Sequence, residues 1–307
     1  MPHSHHRGRL PYIERDESWM YFNKRILLEA ARTDLPLLER FNYLGIYSNN
    51  LDEFFRVRVA SLRRIVGSLE PIPTHERRKA KETLRTIIRL NHEYSALFDR
   101  TFADLLQSLN EAHIHIINEQ ELTTDQEDEI LSFFMDKING ITNPIFINSP
   151  TFRPEQHLKE SLYLVVVLWH EQGEEELAHD VALLEVPTKE LGRFLRLRDK
   201  DGESYLMFLD DVLRYCLPYI FIGREYAQYE AYTFKFTKDA EFELEQDLRS
   251  SVIEMVSRGV KRRGRGEAVR VVYDEALSPE ILRRLSDMSS TTEICVSEAG
   301  AITTCET

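Results

Sequence analysis

The spacing of apolar residues changes near residue 112, and this change constrains the fold more than any other feature of the sequence. Before it, a stripe at helical spacing runs unbroken from His75 to about Asn110, which predicts one helix of about 35 residues and about 50 Å. After it come short runs rich in β-branched residues, of which Leu162–Trp169 is the densest. The sequence therefore predicts a helical domain followed by an α+β domain with a mainly antiparallel sheet.

This division gives four segments. Residues 1–14 are expected to form a disordered arm and residues 15–112 a domain of about four helices. Residues 113–287 are expected to form the α+β domain, and the polar residues 288–307 a disordered tail.

The α+β segment contains several predicted elements. Thr123 or Thr124 can cap a helix that runs to Ile138, and a second helix is predicted from Ala240 to about Arg258. The run Tyr232–Phe236 alternates aromatic and polar residues, which predicts one buried and one solvated face. The other predicted strands are His113–Ile117, Leu162–Trp169, Val181–Pro187, Tyr205–Leu209 and Val269–Tyr273.

A polar triplet, Ser48–Asn49–Asn50, lies between two helical stripes in the first domain. The simplest interpretation is a helix start with Asn50 as N-cap and Glu53 as its capping-box carboxylate. The alternative is that an amide-bearing helix start faces a cleft, where it could bind a nucleotide base or a phosphate. The spacing of the residues does not separate the two interpretations.

Two arginines follow the triplet. On a helical wheel Arg58 falls inside the apolar arc of the third helix, while Arg56 lies on its flank. Such a guanidinium extends along the apolar surface to reach solvent, pairs with a carboxylate, or points into a cleft toward an anion, and arginine suits bidentate contact with phosphate. All three alternatives stay open for Arg56 and Arg58.

The composition limits the classes of ligand. The net charge of −13 predicts that the chain as a whole repels nucleic acid and other polyanions, so any polyanion site must be a local basic patch. The strongest such patch, Arg258–Gly266, contains Lys261, Arg262 and Arg263. It could contact a phosphate polymer, or it could be a solvated helix end and loop.

The sequence shows neither a stretch of eighteen apolar residues nor a signal peptide, and we therefore expect a cytoplasmic protein. Its three cysteines lack metal-ligand spacing, which agrees with a reducing compartment. Cys216 lies in an apolar run and is expected to be a core thiol. No catalytic constellation and no metal site is visible in the residues.

Long ordered strings give the chain a resemblance to a known family. Glu17–Leu27 (ESWMYFNKRIL), Pro36–Arg40 (PLLER) and Ser48–Phe54 (SNNLDEF) are similar to the amino-terminal signature of bacterial polyphosphate kinases. Ala182–Pro187 and Asp211–Cys216 are similar to the middle, or head, domain of that family.

The resemblance implies a function. The family transfers the terminal phosphate of ATP reversibly to polyphosphate through a phosphohistidine, with Mg²⁺. The resemblance also implies that Asn50 contacts ATP and that the head domain carries dimer contacts. Homo-oligomers, polyphosphate and the family's catalytic half are the expected partners, nucleic acid is not one, and any contact with a membrane would be peripheral.

The likeness ends near Ser286, before the family's two catalytic domains. We therefore expect a truncated or frame-shifted product that is inactive alone and binds neither ATP nor Mg²⁺ tightly. The competing hypothesis is a stand-alone, non-catalytic module for dimerisation or protein interaction.

Overall fold

A computed structural model describes residues 12–68, 71–147, 152, 159–170, 179–223, 226–238 and 268–289. The first domain contains α1 (Arg15–Ala30), α2 (Leu37–Phe54), α3 (Ala60–Gly67) and α4 (Thr74–Glu111). A π-helical turn, Phe55–Val59, joins α2 directly to α3. The four predicted helices are therefore present, but α2 and α3 form one continuous helix.

The predicted interruption at Ser48–Asn50 is wrong, because these residues lie within α2. Ser48 and Leu51 face the core, whereas Asn49 is exposed and Asn50 half-exposed. The two asparagines lie on the outer side of α2, where polar residues are compatible with a continuous helix. Asn50 is not an N-cap, and Glu53 has no capping role.

The π turn begins and ends at a pair of adjacent buried residues. Phe54 and Phe55 are both buried, and so are Val59 and Ala60. A π turn contains one extra residue per turn and therefore changes the direction of the side chains that follow it.

The second domain begins with β1 and a capped helix. Thr123 and Gln126 form a capping box at the start of α5, which confirms the predicted helix start. In chain order the elements are β1 (Ile114–Ile117), α5 (Thr124–Phe133) with a π turn (Phe134–Ile138), β2 (Ile145–Phe146), β3 (Leu162–His170), β4 (His179–Glu185), α6 (Thr188–Leu191), β5 (Phe194–Lys200), β6 (Glu203–Phe208), α7 (Leu209–Ile220), β7 (Tyr226–Lys238), β8 (Ala268–Tyr273) and α8 (Pro279–Ser289).

The described strands form two sheets. In the larger sheet the order is β2-β4-β3-β7-β8 and every pairing is antiparallel. In the smaller sheet, β1 pairs parallel and β5 antiparallel with the central strand β6. The predicted α+β class with a mainly antiparallel sheet is confirmed.

The central strand β3 is buried on both faces. Leu164 and Val166 pack in one core, and Tyr163 and Val165 pack in a second core on the opposite face of the sheet. Cys216 of α7 lies in the first core, where burial raises the pKa of its thiol to about 12. The prediction of a core thiol is confirmed.

One strand prediction is wrong. The polar face of β7 was expected to be solvated, yet Thr233 and Lys235 are both buried. Thr233 accepts a hydrogen bond from Arg214, and Lys235 contacts Asp52 of the helical domain. Helix α7 and the helical domain thus contact a face that the alternation alone assigns to water.

The predicted helix at 240–258, the basic run 258–266 and the residues after 289 lie outside the described part of the chain.

Candidate functional site

Asn50 lies on α2 and contacts a second asparagine on α1. Its Nδ2 donates to Oδ1 of Asn23 at 3.3 Å, and Nδ2 of Asn23 donates to the carbonyl oxygen of Tyr47 at 3.1 Å. Asn23 is only 1% exposed, whereas Asn50 is half-exposed. A buried amide therefore supports an amide that solvent can reach.

Exposed apolar side chains lie near this pair. Phe22, next to Asn23 in the sequence, is 55% exposed, and Ile46, one turn before Asn50 on α2, is 42% exposed. Large apolar groups beside a few oriented polar groups are typical of surfaces that bind an organic ligand.

Arg58 is paired with a carboxylate. Its Nε and Nη2 donate to the two oxygens of Asp16 at 2.9 and 3.0 Å, which is the bidentate geometry of a strong ion pair. The hydrogen bonds to Asp16 raise the pKa of Arg58 above the ordinary value of an arginine. Of the alternatives that the sequence left open, the structure contains the carboxylate pair.

Arg56 connects the two domains. Its Nη1 lies 3.1 Å from Oε2 of Glu160, just before β3, and its Nε lies 3.8 Å from Glu53. Arg56 therefore also has carboxylate partners in this structure.

A second and more buried contact between the domains lies two residues after Asn50. Oδ2 of Asp52 is 2.7 Å from Nζ of Lys235, and its Oδ1 is in direct contact with Arg270, whose guanidinium lies 5.5 Å from the centre of the Phe55 ring. Burial alone would raise the pKa of Asp52, but the charges of Arg270 and Lys235 outweigh it and lower that pKa. This Asp52 clamp holds α2, and with it Asn50, against β7 and β8.

A cleft of about 750 Å³ lies between the domains, bounded by Phe102 and Leu106 of α4 on one side. Two arginines in it are paired with carboxylates: Arg193 Nη1 lies 2.6 Å from Asp210, and Arg214 contacts Asp211. Burial, followed by the charge of Asp210, raises the pKa of Asp211 to about 7. The remaining acids of the lining are Glu119, Glu230 and Asp274. Acids thus outnumber arginines, and the cleft does not suit a polyanion.

The remaining predicted site residues cannot be placed. Lys261, Arg262 and Arg263 lie outside the described residues. Within the described ranges, no cluster of three or more His, Cys, Asp or Glu residues could hold a metal ion. No helix in the same ranges is both long and apolar enough to cross a membrane.

Sequence reasoning did not identify Asn23 or Lys235. Asn23 had a detectable signal, because it continues the stripe of Met20, Leu27 and Ala30 at helical spacing and is therefore a polar residue on a buried face. Lys235 had no detectable signal in the sequence, because its carboxylate partner lies 183 residues away.

Comparison with known proteins covers both domains. Residues 12–117 match the family model described as polyphosphate kinase N-terminal domain, and residues 125–305 match the polyphosphate kinase middle domain. The second match extends to residue 305, so the expectation that the likeness ends near Ser286 is wrong.

Relatives and one solved structure agree with the family matched by these two domain models. The chain is 34% identical over 280 residues to a polyphosphate kinase of Yersinia pestis and 33% identical over 284 residues to that of Escherichia coli K12. These alignments cover 89% and 90% of this chain but 39% and 40% of the relatives. The crystal structure of the polyphosphate kinase from Porphyromonas gingivalis superposes with a TM-score of 0.72 at 27% identity, covering 95% of this chain and 40% of that one.

The chain thus spans about 40% of the length of the relatives that it matches. Two matched domains in family order, relatives above 30% identity and the same fold lead to one conclusion: this chain belongs to the polyphosphate kinase family.

Proposed function

We propose that this chain is the amino-terminal half of an enzyme that transfers the terminal phosphate of ATP reversibly to polyphosphate. In this proposal the chain supplies one wall of the nucleotide site and the contacts of a homo-oligomer. A catalytic half supplies the phosphohistidine, binds Mg²⁺ and makes most phosphate contacts. The chain alone is inactive, and we assign it to the cytoplasm, where any membrane contact is peripheral.

The observation that carries the proposal is the half-exposed amide of Asn50 on a helix held by buried contacts. Asn23 fixes its side chain, and the Asp52 clamp fixes α2 against the second domain. Such pre-organisation is what a binding wall needs, because a rigid site loses less entropy when the ligand binds. Exposed Phe22 and Ile46 provide apolar surface for the flat part of a nucleotide.

The basic residues have separate roles in this proposal. Arg56 and Arg58 would contact phosphate only by exchanging Glu160 and Asp16 for it, and they chiefly hold the wall in place. Lys261, Arg262 and Arg263 provide the local positive charge that polyphosphate needs on a chain of net charge −13.

For the homo-oligomer we propose the second domain as the contact surface. Tyr219, Ile222 and Met135 are exposed large apolar residues on it, and Tyr219 packs on Phe134. Exposed large apolar side chains are typical of protein interfaces.

Phosphate transfer from ATP to polyphosphate tests the proposal. The chain is assayed alone and together with the fragment of the E. coli relative that the alignment does not cover. We expect activity only in the mixture, and we expect Asn50→Ala to raise the KM for ATP while Asn49→Ala, on the exposed neighbour, leaves it unchanged. Failure of the mixture to bind ATP or polyphosphate would favour the alternative, a non-catalytic interaction module.

A further inference from the structure

The two asparagines form a chain of hydrogen bonds that ends on a backbone carbonyl. The carbonyl of Tyr47 can only accept, so the group of Asn23 that faces it at 3.1 Å must be the donor Nδ2. Oδ1 of Asn23 then faces Asn50, whose Nδ2 donates to it at 3.3 Å. One backbone group thus determines the orientation of both amides.

This orientation determines what Asn50 offers to a ligand. Its Nδ2 uses one N–H on Asn23, and among the described residues no donor reaches its Oδ1. The side chain therefore presents an acceptor oxygen and one remaining N–H. A phosphate oxygen, which only accepts, would meet the Asn50 oxygen unfavourably.

We propose that Asn23 is a positioning residue that turns the Asn50 oxygen toward the nucleotide, so that the pair recognises the 6-amino group of adenine. The inference rests on the proposed function, in which Asn50 contacts the nucleotide. An asparagine amide matches the amino group and N7 of adenine, which present one donor and one acceptor. Guanine presents two acceptors at the same positions, and its 6-oxo group would face the Asn50 oxygen. Asn23 thereby contributes to the choice of ATP over GTP without touching either.

Two substitutions of Asn23 separate positioning from packing. In Asn23→Asp the carboxylate still accepts from Asn50, although it repels the Tyr47 carbonyl. In Asn23→Leu the volume is similar but the acceptor is gone. A packing role predicts that the buried charge of Asn23→Asp is the more harmful change. A positioning role predicts that Asn23→Asp keeps the preference for ATP and that Asn23→Leu loses it.

Equilibrium binding of ATP and of GTP is measured on the chain assembled with the catalytic fragment. We expect Asn23→Leu to weaken ATP binding about 3- to 10-fold, the effect of one hydrogen bond, and to leave GTP binding unchanged. Combining Asn23→Leu with Asn50→Ala should be no worse than Asn50→Ala alone, because both remove the same contact. Asn91→Leu, which replaces a buried asparagine of α4, is the control for packing.

The outcomes distinguish this inference from the proposed function. If Asn50→Ala leaves ATP binding unchanged, both are overturned. If Asn50→Ala weakens ATP binding but Asn23→Leu does not, or if Asn23→Leu weakens ATP and GTP equally, only the role of Asn23 is overturned.

A measurement on the unmutated protein covers the case in which an Asn23 variant does not fold. In NMR spectra of the assembly with ¹⁵N-labelled asparagine in this chain, ATP should shift the side-chain amide signals of Asn50 and Asn23, and GTP should not. Equal shifts with both nucleotides, or none with ATP, would contradict the inference.

Discussion

The Asp52 clamp gives the sharpest prediction about stability. One carboxylate, 16% exposed, faces two cations whose side chains are 11% and 10% exposed, Lys235 and Arg270. Asp52→Asn keeps the shape of the side chain but removes its charge. Two buried cations then face each other across a neutral amide.

The expected cost follows from burial. Removing one partner of a buried ion pair costs about 3–5 kcal/mol, because the remaining charge is desolvated and uncompensated. In Asp52→Asn the new amide oxygen still accepts from one of the two cations and compensates its charge in part. We therefore expect a loss of about 3 kcal/mol in the free energy of unfolding, at the lower end of that range. This is a large share of the roughly 5–15 kcal/mol that stabilises a folded protein.

The chain offers a matched assay, because each domain contains one of its two tryptophans. Trp19 stacks on Phe54 with ring centres 4.1 Å apart, and Trp169 lies in β3. Urea unfolding is followed by fluorescence of Trp19→Phe and Trp169→Phe forms, which report the two domains separately. In these backgrounds Asp52→Asn should lower the midpoint of unfolding and separate the two transitions.

Glu53→Gln is the control, since the adjacent Glu53 carboxylate is 65% exposed and its pair with Arg56 is long at 3.8 Å. Exposed pairs of this kind contribute about 0–1 kcal/mol. The reasoning is refuted if Asp52→Asn is no less stable than Glu53→Gln. The pH dependence gives a second check: the pKa of Asp52 is lowered by folding, so its contribution is present above the ordinary carboxyl pKa and is lost in acid. Asp52→Asn should lack this part of the acid sensitivity.

Three further changes have defined outcomes. Arg58→Met removes the bidentate partner of the buried Asp16 and leaves it only the exposed Arg15, whose Nε lies 3.6 Å away. The change should cost about 2 kcal/mol in urea unfolding, largely recovered by adding Asp16→Asn, and an unchanged midpoint would contradict the pairing. Folding raises the pKa of Asp211 to about 7. The contribution of its protonated carboxyl group to the free energy of unfolding is therefore full below about pH 4 and is lost as the pH rises through 7, by at most ~1.4 kcal/mol per pH unit. Asp211→Asn should reduce that slope in unfolding measured from pH 4 to 8, and an unaltered slope would exclude a raised pKa. Thr123→Ala removes the capping box of α5 and should cost about 1 kcal/mol in thermal unfolding, with Thr124→Ala, one position later, as a milder control.

Local rules predicted the helices of the first domain, the start of α5 and most of the described strands, but they did not predict α7. The stripe of α4, the capping box at Thr123 and the dense apolar run of β3 each depend on neighbours within a few residues. The break assigned to Ser48–Asn50 failed for a physical reason. Polar residues end a helix only when the backbone needs their side chains as caps, and here the packing of α2 on α1 keeps the backbone helical.

The sequence by itself determined the order of the two domains, the family and the identity of Asn50 as a candidate contact, because periodicity and long strings are read along the chain. Only the tertiary structure decided that the Asn50 oxygen faces outward, that Arg58 holds Asp16, and that Lys235 is buried on Asp52. Hydrogen bonds and ion pairs join residues that are distant in sequence, and the chemistry of such a side chain depends on which partner the fold places within about 3 Å of it.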